Sequence, residues 1–599
     1  MSIVDQPLDG VPVLLLMSEF VMRSFFLSMN KVLKRIMKLQ TIKEFYNGKT
    51  ILITGATGFI GRILLAKLMR MGNIKEILIF SRPKKGKSNE ERLDKILSGF
   101  LFEEMDKHDK NFRNKLRIIT ADMEIDGLGI SNDDLHYIQM NVEVIIHGAA
   151  TVRFDEQLRK AVAINIRGTK NMLDIATEAR NLQSFVHIST AYSQCPRPDI
   201  KEIFYESPID YRLALSLLQN FDDDLVNTVT EKLINPWPNS YTFTKAISED
   251  MIRQYQHRLP IIIIRPSIVH CVYSDPISGY VDTLMGTIGI AAGVLLGLLR
   301  VLKINVKTVL NIVPVDFVVN TSLIVSAKFS KFNKEIIPNN IFHCVTPSTA
   351  PLYIGKNYSL KLFTYLISLK YFQGWFFEMM ESVKMQFVSK KMMWPQSFTI
   401  TSSTFLYRIL FVLYHYLPAF FVDIILFLKG SKIRLVRVYS KIYYYFELYD
   451  YFQSKTWNFH NTNAMKVLSL ISENDLKEFP CVSKKEDYEA VFSNTLNGVR
   501  RFILKENDED LIEARKRYFY LSYFRYIFLG ILYGTLAYFS YENVIKLFQY
   551  LLNSIVLWLP LNNLKEIVFS HQHTHHRDVH GKDWKSCHFC HVQAHVRKI

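Results

Sequence analysis

Short apolar runs alternate with longer amphipathic segments through the first half of the chain. Six runs have the length and the continuous apolar character of strands that are covered on both faces of a sheet. Two of the segments between them, 62–71 and 161–179, carry apolar residues at helical spacing. This alternation predicts an α/β fold built on a Rossmann-type doubly wound parallel sheet. The predicted strands are 50–54, 76–80, 115–120, 142–147, 184–189 and 261–264.

Four longer apolar segments raise the question of membrane contact. Residues 283–302 are long enough to cross a bilayer, but their four glycines and their place after the sixth strand favour a substrate-binding lobe. Residues 406–428 are interrupted by charged residues and a proline, which favours a membrane-surface or core element over a span. The strongest candidate for a transmembrane helix is 518–541, which follows the basic cluster 515–517 and carries tyrosines at both ends. Residues 544–560 are a candidate second membrane segment.

Composition narrows the classes of partner. The chain has 599 residues, too many for one compact domain, and a formal net charge of +17. A basic excess suits nucleic acid, an anionic membrane or a phosphorylated substrate. Since no segment resembles a nucleic-acid module, we expect a membrane and a phosphorylated substrate. The six cysteines are too scattered for a disulfide framework, which favours the reducing cytosol for the catalytic region.

A glycine-rich turn follows the first predicted strand. Gly55, Gly58 and Gly61 are spaced three apart between that strand and the next helix. Glycines let the backbone approach a pyrophosphate, whose charge is stabilised at a helix N-terminus. The turn therefore predicts a dinucleotide site. Its candidate contacts are Thr54, Gly55, Thr57, Gly58, Phe59, Ile60 and Gly61, with Asp122 and Ala149 after the third and fourth strands.

The end of the second strand indicates which dinucleotide is bound. Proteins that bind NAD carry Asp or Glu about twenty residues after the turn, to contact the ribose hydroxyls. This chain instead has Arg82, followed by Lys84 and Lys85. Arg82 suits a 2′-phosphate, so the predicted cofactor is NADPH. For the two lysines, a solvated basic loop is the alternative interpretation.

Tyr241 and Lys245 are candidate catalytic residues. They lie four apart on a predicted helix and therefore share a face. Because a nearby ammonium favours the phenolate, we expect Lys245 to lower the pKa of Tyr241. Tyr241 could then protonate a carbonyl oxygen as hydride arrives, while Lys245 also holds the nicotinamide ribose. Ser189 and Thr190, at the end of the fifth strand, are both candidates for binding that oxygen.

Together these motifs resemble the extended short-chain dehydrogenase/reductase family, and more narrowly the fatty acyl-CoA reductases. The similarity runs from about Phe45 to about Glu506. It implies reduction of a long-chain acyl-CoA to a fatty alcohol by NADPH, with release of CoA through a bound aldehyde, and it favours Ser189 over Thr190. One departure is 279–287, where an Asn and a Pro of the family pattern are missing, so the acyl chain length stays open. The resemblance rests on segments 45–50, 147–156, 165–169, 238–246, 265–267, 314–316, 417–419, 430–432, 452–463 and 498–502.

The resemblance also completes the predicted domain organisation. No metal is expected, because the His/Cys-rich tail that contains Cys587 and Cys590 is better explained as a disordered segment than as a metal site. We expect an intracellular membrane location, the endoplasmic reticulum first and the peroxisomal membrane second, with the catalytic domain facing the cytosol. The predicted regions are an amphipathic or disordered extension 1–41, an NADP-binding Rossmann domain with a substrate lobe 42–345, a connecting region 346–413, a mainly helical fatty acyl-CoA reductase C-terminal domain 414–506, the transmembrane helix 518–541, the second membrane segment 544–560 and the tail 561–599.

Two other functions are consistent with parts of the sequence. A membrane-bound NADP-dependent dehydrogenase of sterols or other alcohols would use the same Tyr241 and Lys245 chemistry in reverse, but the C-terminal domain disfavours it. A non-enzymatic lipid-binding scaffold on a decayed Rossmann fold is disfavoured by the intact glycines and the intact catalytic pair. Neither alternative explains both halves of the chain.

Overall fold

The computed structural model describes residues 41–82, 86–97, 99–103, 112–305, 308–329, 337, 339–346, 386–397, 399–481 and 487–558. The predicted extension before residue 41, Lys84 and Lys85, much of the connecting region and the His/Cys-rich tail lie outside these residues.

Seven parallel strands form the central sheet, in the order β3-β2-β1-β4-β5-β7-β11. Six of them confirm the predicted strands to within two residues at either end. The seventh, β11, was not predicted, because a four-residue segment that contains His343 is too short to show a periodic pattern. Three further parallel pairs, β8–β10, β9–β12 and β6–β13, lie outside the main sheet. The strands are β1 Thr50–Thr54, β2 Glu76–Ser81, β3 Leu116–Thr120, β4 Val144–His147, β5 Ser184–Ile188, β6 Asp199–Ile200, β7 Ile261–Pro266, β8 Ile268–His270, β9 Val301–Lys303, β10 Ile312–Pro314, β11 Ile341–Cys344, β12 Thr399–Thr401 and β13 Asn458–Phe459.

Helices cover both faces of the sheet and dominate the second half of the chain. A π-helical turn, Val162–Arg167, joins α5 to α6 in one continuous helix, which was predicted as a regular crossover helix. The helices are α1 Ile42–Tyr46, α2 Phe59–Arg70, α3 Asn89–Leu97, α4 Asn132–Asn141, α5 Leu158–Ala161, α6 Gly168–Glu178, α7 Tyr211–Asn220, α8 Asp223–Ile234, α9 Ser240–Tyr255, α10 Gly286–Leu295, α11 Val315–Lys328, α12 Thr404–Phe411, α13 Leu417–Leu428, α14 Leu435–Ser454, α15 Thr462–Ser469, α16 Glu473–Glu478, α17 Asp487–Gly498 and α18 Asp510–Trp558.

The continuous apolar strands are explained by two hydrophobic cores, one on each face of the sheet. Ile51 and Ile53 of β1 face the core that contains α2 and α11, while Leu52 between them faces the core that contains α6 and α9. A strand that is covered on both faces has no solvent side and therefore no polar alternation. The burial pattern confirms the Rossmann-type fold with a doubly wound sheet.

The apolar segment 283–302 packs within the fold, and its place in a substrate lobe stays a prediction. Its only helix among the described residues is α10, which is ten residues long. Ile288 and Leu295 of α10 pack with Tyr488 and Val491 of α17 in a separate buried cluster. This segment and the C-terminal helices therefore share a core.

The most apolar long helix differs from the predicted transmembrane helix. In the part of the chain that the structure describes, one helix is long and apolar enough to cross a membrane, Thr404–Leu428, with a mean hydropathy of 2.0 in its most apolar window. It consists of α12, the π-helical turn Val412–Tyr416 and α13, which follow one another without a break. We expected a span at 518–541, which lies inside α18, but its tyrosines and Arg525 lower its hydropathy. That span stays a prediction. Contacts divide the chain into two units within α18, one ending at Ser522 and the other beginning at Tyr523.

Candidate active site

A cavity of about 1230 Å³ opens at the carboxyl ends of the central strands, where open α/β sheets bind ligands. Its wall continues onto side chains of the C-terminal helices α14 and α17. All the residues predicted for the site line this one cavity: Thr54, Gly55, Thr57, Gly58, Phe59, Ile60, Gly61, Arg82, Asp122, Ala149, Ser189, Thr190, Tyr241 and Lys245.

The glycine-rich turn has the geometry of a pyrophosphate cradle. Gly55 has a φ of +78°, and a Cβ on it would lie 2.8 Å from the nitrogen of Ala149. A Cβ on Gly61 would collide with the carbonyl oxygen of Gly55. Only glycine at position 61 therefore lets the turn pack this closely against α2. Helix α2 begins at Phe59, and its N-cap residue, Gly58, has no side chain to cap the first turn. That turn lines the cavity and can donate its N–H groups to an anion.

A buried histidine ties the turn to the neighbouring strands. Nδ1 of His147 lies 2.7 Å from the hydroxyl of Thr54, and Nε2 lies 3.0 Å from the hydroxyl of Thr169. Thr169 itself donates to the carbonyl of Asn165, so its oxygen must accept from Nε2. Burial lowers the pKa of His147 to about 3, which keeps the ring neutral. No role was predicted for His147, because its partners lie on other elements of the fold.

Arg82 is held at the rim of the cavity by two carboxylates. Its Nη1 lies 3.1 Å from Asp122 and 3.0 Å from Glu124. Burial opposes the charge, but the hydrogen bond to Glu124 and the charge of Asp122 together raise the pKa of Arg82. The Arg82 side chain is 41% exposed, so its guanidinium can also contact a phosphate. Asp122 therefore positions Arg82. The place of Asp122 after the third strand had suggested a cofactor contact but not this contact with Arg82.

Tyr241 and Lys245 lie on α9, whose first turn is capped by the side chain of Asn239. Thr190 lies close to the Tyr241 hydroxyl on the cavity wall, and Lys245 Nζ donates to the carbonyl of Ile188 at 2.8 Å. Burial raises the pKa of Tyr241 to about 12 and lowers the pKa of Lys245 to about 8. The expected lowering of the Tyr241 pKa is wrong for this structure, because desolvation by burial is the largest influence on that pKa and outweighs the opposing effect of Thr190.

The two hydroxyls after β5 have different partners. Ser189 donates to Oε1 of Glu249, a carboxylate that also pairs with Arg265 at 2.6 Å. The Thr190 hydroxyl instead accepts the backbone N–H of Tyr192 at 3.2 Å and lies close to Tyr241. The resemblance had favoured Ser189 for binding the substrate oxygen, whereas the geometry favours Thr190. The signal for Glu249 was in the sequence, since it continues the spacing of four from Tyr241 and Lys245.

The π-helical turn holds the catalytic helix in place. Asn165 in this turn donates to the hydroxyl of Thr244 at 3.0 Å and accepts the N–H of Thr151 at 2.9 Å. Ser248 donates to the carbonyl of Asn165, which the wider helical turn leaves available. These bonds surround Lys245 on both sides along α9. In the sequence, Asn165 was recognised only as part of a family motif, with no predicted role.

Aromatic side chains of the C-terminal region form one wall of the cavity beside the catalytic tyrosine. Phe154 stacks with Tyr241 at a centroid distance of 6.1 Å, and Phe154 also contacts Tyr449 and Phe452 of α14 at 5.0 and 5.2 Å. Trp457 packs against this group and donates its Nε1 hydrogen to the carbonyl of Cys195 at 2.9 Å. The C-terminal helices therefore complete the active site rather than forming a separate module.

The segment that departs from the family pattern, 279–287, lies on the cavity wall. Asp282 forms an ion pair with Arg62 in the first turns of α2. At the other end, Gly279 has a φ of +78°, and a Cβ on it would lie 2.5 Å from the carbonyl oxygen of Asn494. The segment thus links the cofactor helix α2 to α17.

The sheet, the glycine-rich turn and the Tyr241–Lys245 pair define an NAD(P)-dependent oxidoreductase. An NAD-binding family model described as "Male sterility protein" matches residues 53–322, and a second male sterility protein model, Sterile, matches residues 414–506. Fatty acyl-CoA reductase wat of Drosophila melanogaster is 34% identical over 507 residues, which cover 85% of this chain and 94% of that protein. Fatty acyl-CoA reductase 1 of Homo sapiens is 32% identical over 495 residues, covering 82% and 92% respectively. The chain belongs to the fatty acyl-CoA reductase family.

Proposed function

We propose that this enzyme reduces a long-chain acyl-CoA to a fatty alcohol in two NADPH-dependent steps, releasing CoA and keeping the aldehyde bound between them. The observation that carries the proposal is that Thr190, Tyr241 and the buried Lys245 line one cavity, whose other end is apolar. Membership of the fatty acyl-CoA reductase family supports the substrate class.

The residues of the turn fit NADPH. The uncapped N-terminus of α2 and the glycine cradle would hold the pyrophosphate, and Arg82 would hold the 2′-phosphate. NADPH supplies the hydride in each reduction. Lys245, whose Nζ lies at the end of β5, would hold the nicotinamide ribose.

In the first reduction the thioester carbon gains hydride while its oxygen takes the proton of Tyr241. With a pKa of about 12, Tyr241 is protonated at neutral pH and ready to donate. Thr190 donates a hydrogen bond to the same oxygen and stabilises its developing charge. The hemithioacetal then loses its C–S bond: the hydroxyl proton returns to Tyr241, and the sulfur leaves as the thiolate of CoA, which takes a proton from water. Hydride and a proton added to the aldehyde in the same way yield the alcohol.

The acyl chain would occupy the apolar end of the cavity. Phe452 from α14 and Leu496 from α17 line this end together with Leu302 and Ile304 near β9. Arg153 and Lys160, which also line the cavity, supply positive charge for the CoA phosphates. We place the enzyme at an intracellular membrane, the endoplasmic reticulum first and the peroxisomal membrane second, with its catalytic part facing the cytosol, because the basic cluster 515–517 precedes the predicted span 518–541.

The purified full-length enzyme tests this function. With NADPH and a panel of acyl-CoAs it should release free CoA and fatty alcohol, and Tyr241→Phe should abolish both products. Tyr255→Phe is the matched control, since it removes a hydroxyl from the same helix that bonds only to Asp174 outside the cavity. Alcohol formation that survives Tyr241→Phe would refute the mechanism, and turnover of sterols with no acyl-CoA turnover would favour the dehydrogenase alternative.

A further inference from the structure

The apolar helix Thr404–Leu428 leaves most of its surface uncovered. One stripe of residues spaced four apart, Tyr407, Phe411, His415 and Ala419, is buried against the fold. The remaining faces are exposed, and Phe427 and Leu428 reach 67% and 78% exposure. Exposure of so large an apolar helix face to water is unfavourable unless another apolar surface covers it. The exposed side chains include Phe405, Ile409, Phe420, Phe421, Phe427 and Leu428.

The buried stripe holds the helix on the enzyme. The Nε2 atom of His415 accepts the backbone N–H of Arg300 at 3.0 Å, and the ring is fully buried. Tyr407 and Phe411 pack on Val301 of β9. Crossing a bilayer would break these contacts, including the buried hydrogen bond from the backbone N–H of Arg300 to Nε2 of His415. The helix is therefore suited to lie along a membrane surface rather than to span it.

The charges around this helix match an anionic lipid surface. Residues 402–446 contain six basic residues and one acid, Asp423. The carboxylate of Asp423 accepts the backbone N–H groups of Leu435 and Val436, which turns it towards the start of α14. The exposed basic residues are Arg408, Lys429, Lys432, Arg437 and Lys441. An apolar face rimmed by Lys and Arg is the pattern of a helix that lies in the bilayer interface.

The same helix adjoins the acyl end of the active-site cavity. Val301, on which its buried stripe packs, is followed by Leu302 and Ile304, which line the cavity. Helix α14 makes a second connection, since Tyr439 packs with Tyr407 while Phe452 lines the cavity.

We propose that helix Thr404–Leu428 lies in the surface of an anionic lipid bilayer, with its exposed apolar face among the acyl chains and the basic residues 429–441 against the headgroups. The bilayer then delivers its dissolved acyl chains beside the cavity. The location of the surface is independent of the reaction, whereas the delivery role rests on the proposed acyl-CoA reduction.

Photolabelling of the full-length enzyme tests the surface directly. The enzyme is bound to phosphatidylcholine vesicles containing phosphatidylserine and a phosphatidylcholine with a photoactivatable group on its acyl chain. Peptides from 404–428 should carry the label, and Lys429→Glu with Lys432→Glu should reduce that labelling at low salt, with a smaller difference from the native enzyme at high salt, which screens the lipid charge. Labelled peptides confined to 518–558 would overturn the proposal, as would an unlabelled helix whose Phe421→Ser variant changes the oligomeric state, which would identify a contact between copies.

Kinetics test the delivery role. Phe421→Ser with Phe427→Ser should raise the KM for vesicle-bound hexadecanoyl-CoA on the order of tenfold, with kcat unchanged. Both constants for water-soluble hexanoyl-CoA should stay unchanged. Leu213→Ser with Leu225→Ser is the matched control, because these side chains are similarly exposed, at 56% and 46%, on helices α7 and α8. An equal change in KM for the control variant would overturn the delivery role of the helix. If the native enzyme reduced neither acyl-CoA, the proposed function would be refuted, but the photolabelling result would still stand.

Discussion

Glu249 pairs with Arg265 through two hydrogen bonds, Nε to Oε1 at 3.0 Å and Nη2 to Oε2 at 2.6 Å, and both side chains are buried. Arg265 also donates to the carbonyls of Lys201 and Ile203. Glu249 lies one helical turn beyond Lys245, and its charge opposes the loss of the Lys245 proton that burial favours. The catalytic helix thus carries a buried counter-charge that helps to keep Lys245 protonated.

Replacing Glu249 with Gln should destabilise the enzyme and shift its pH profile. A buried Arg265 without its partner costs on the order of 3–5 kcal/mol, measurable by denaturant unfolding. The pKa of Lys245 should fall below its value of about 8, so the alkaline decline of kcat should move to lower pH. The control is Asp94→Asn, which breaks the exposed pair with Arg113 and should cost less than about 1 kcal/mol. Unchanged stability and an unchanged pH profile would show that Glu249 is not a positioning residue.

Thr190 and Ser189 should respond differently to removal of the hydroxyl. Thr190→Ala should lower kcat by about 10²–10³-fold, because it removes a donor to the substrate oxygen, and Thr190→Ser should restore most of the rate. Ser189→Ala should mainly lower the melting temperature, because Glu249 loses a buried donor. Steady-state kinetics and thermal unfolding of the three variants separate the roles. If Ser189→Ala proved the slower enzyme, the two assignments would be exchanged.

Arg82 should set the preference between the two dinucleotides. Arg82→Ala removes a charged donor to the 2′-phosphate, so the KM for NADPH should rise roughly 10–100-fold while the KM for NADH changes little. Arg113→Ala is a control on a basic residue outside the cavity. Equal changes for both dinucleotides would mean that Arg82 acts only on the structure of the site.

Stability should fall as the pH rises through the range in which Glu202 ionises. Glu202 is 5% exposed and accepts backbone N–H groups from His343, Asn463 and Ala464, which link β11 to α15. Burial outweighs these bonds and raises its pKa from 4.5 to about 7. The folded state therefore binds more protons than the unfolded state between these values, and the stabilising contribution of the protonated form is lost as the pH increases towards 7.

Thermal unfolding across this pH range gives the measurement for Glu202. The free energy of unfolding should drop on the order of 3 kcal/mol between pH 4.5 and pH 8 on account of this group. Glu202→Gln should remove that part of the pH dependence, because the amide cannot ionise. If the stability of Glu202→Gln depended on pH in the same way as that of the native enzyme, Glu202 would be excluded as the source of this pH dependence.

Local patterns in the sequence were enough for the sheet and for the outline of the site. Six strands and the turn from Gly55 to Gly61 follow from apolar runs and from glycine spacing, which depend only on neighbouring residues. The four-residue spacing of Tyr241 and Lys245 is likewise a property of one helix. Family similarity across both halves of the chain added the substrate class.

Tertiary structure decided which groups act together. Ser189 and Thr190 are adjacent in sequence, yet the Ser189 hydroxyl donates to Glu249 and the Thr190 hydroxyl accepts the N–H of Tyr192, because successive residues after a strand point in different directions. The contact of Phe154 with Phe452 joins residues about three hundred positions apart, and no periodic pattern records such a pairing. The pKa of Tyr241 was likewise decided by packing, since desolvation depends on every element that covers the side chain.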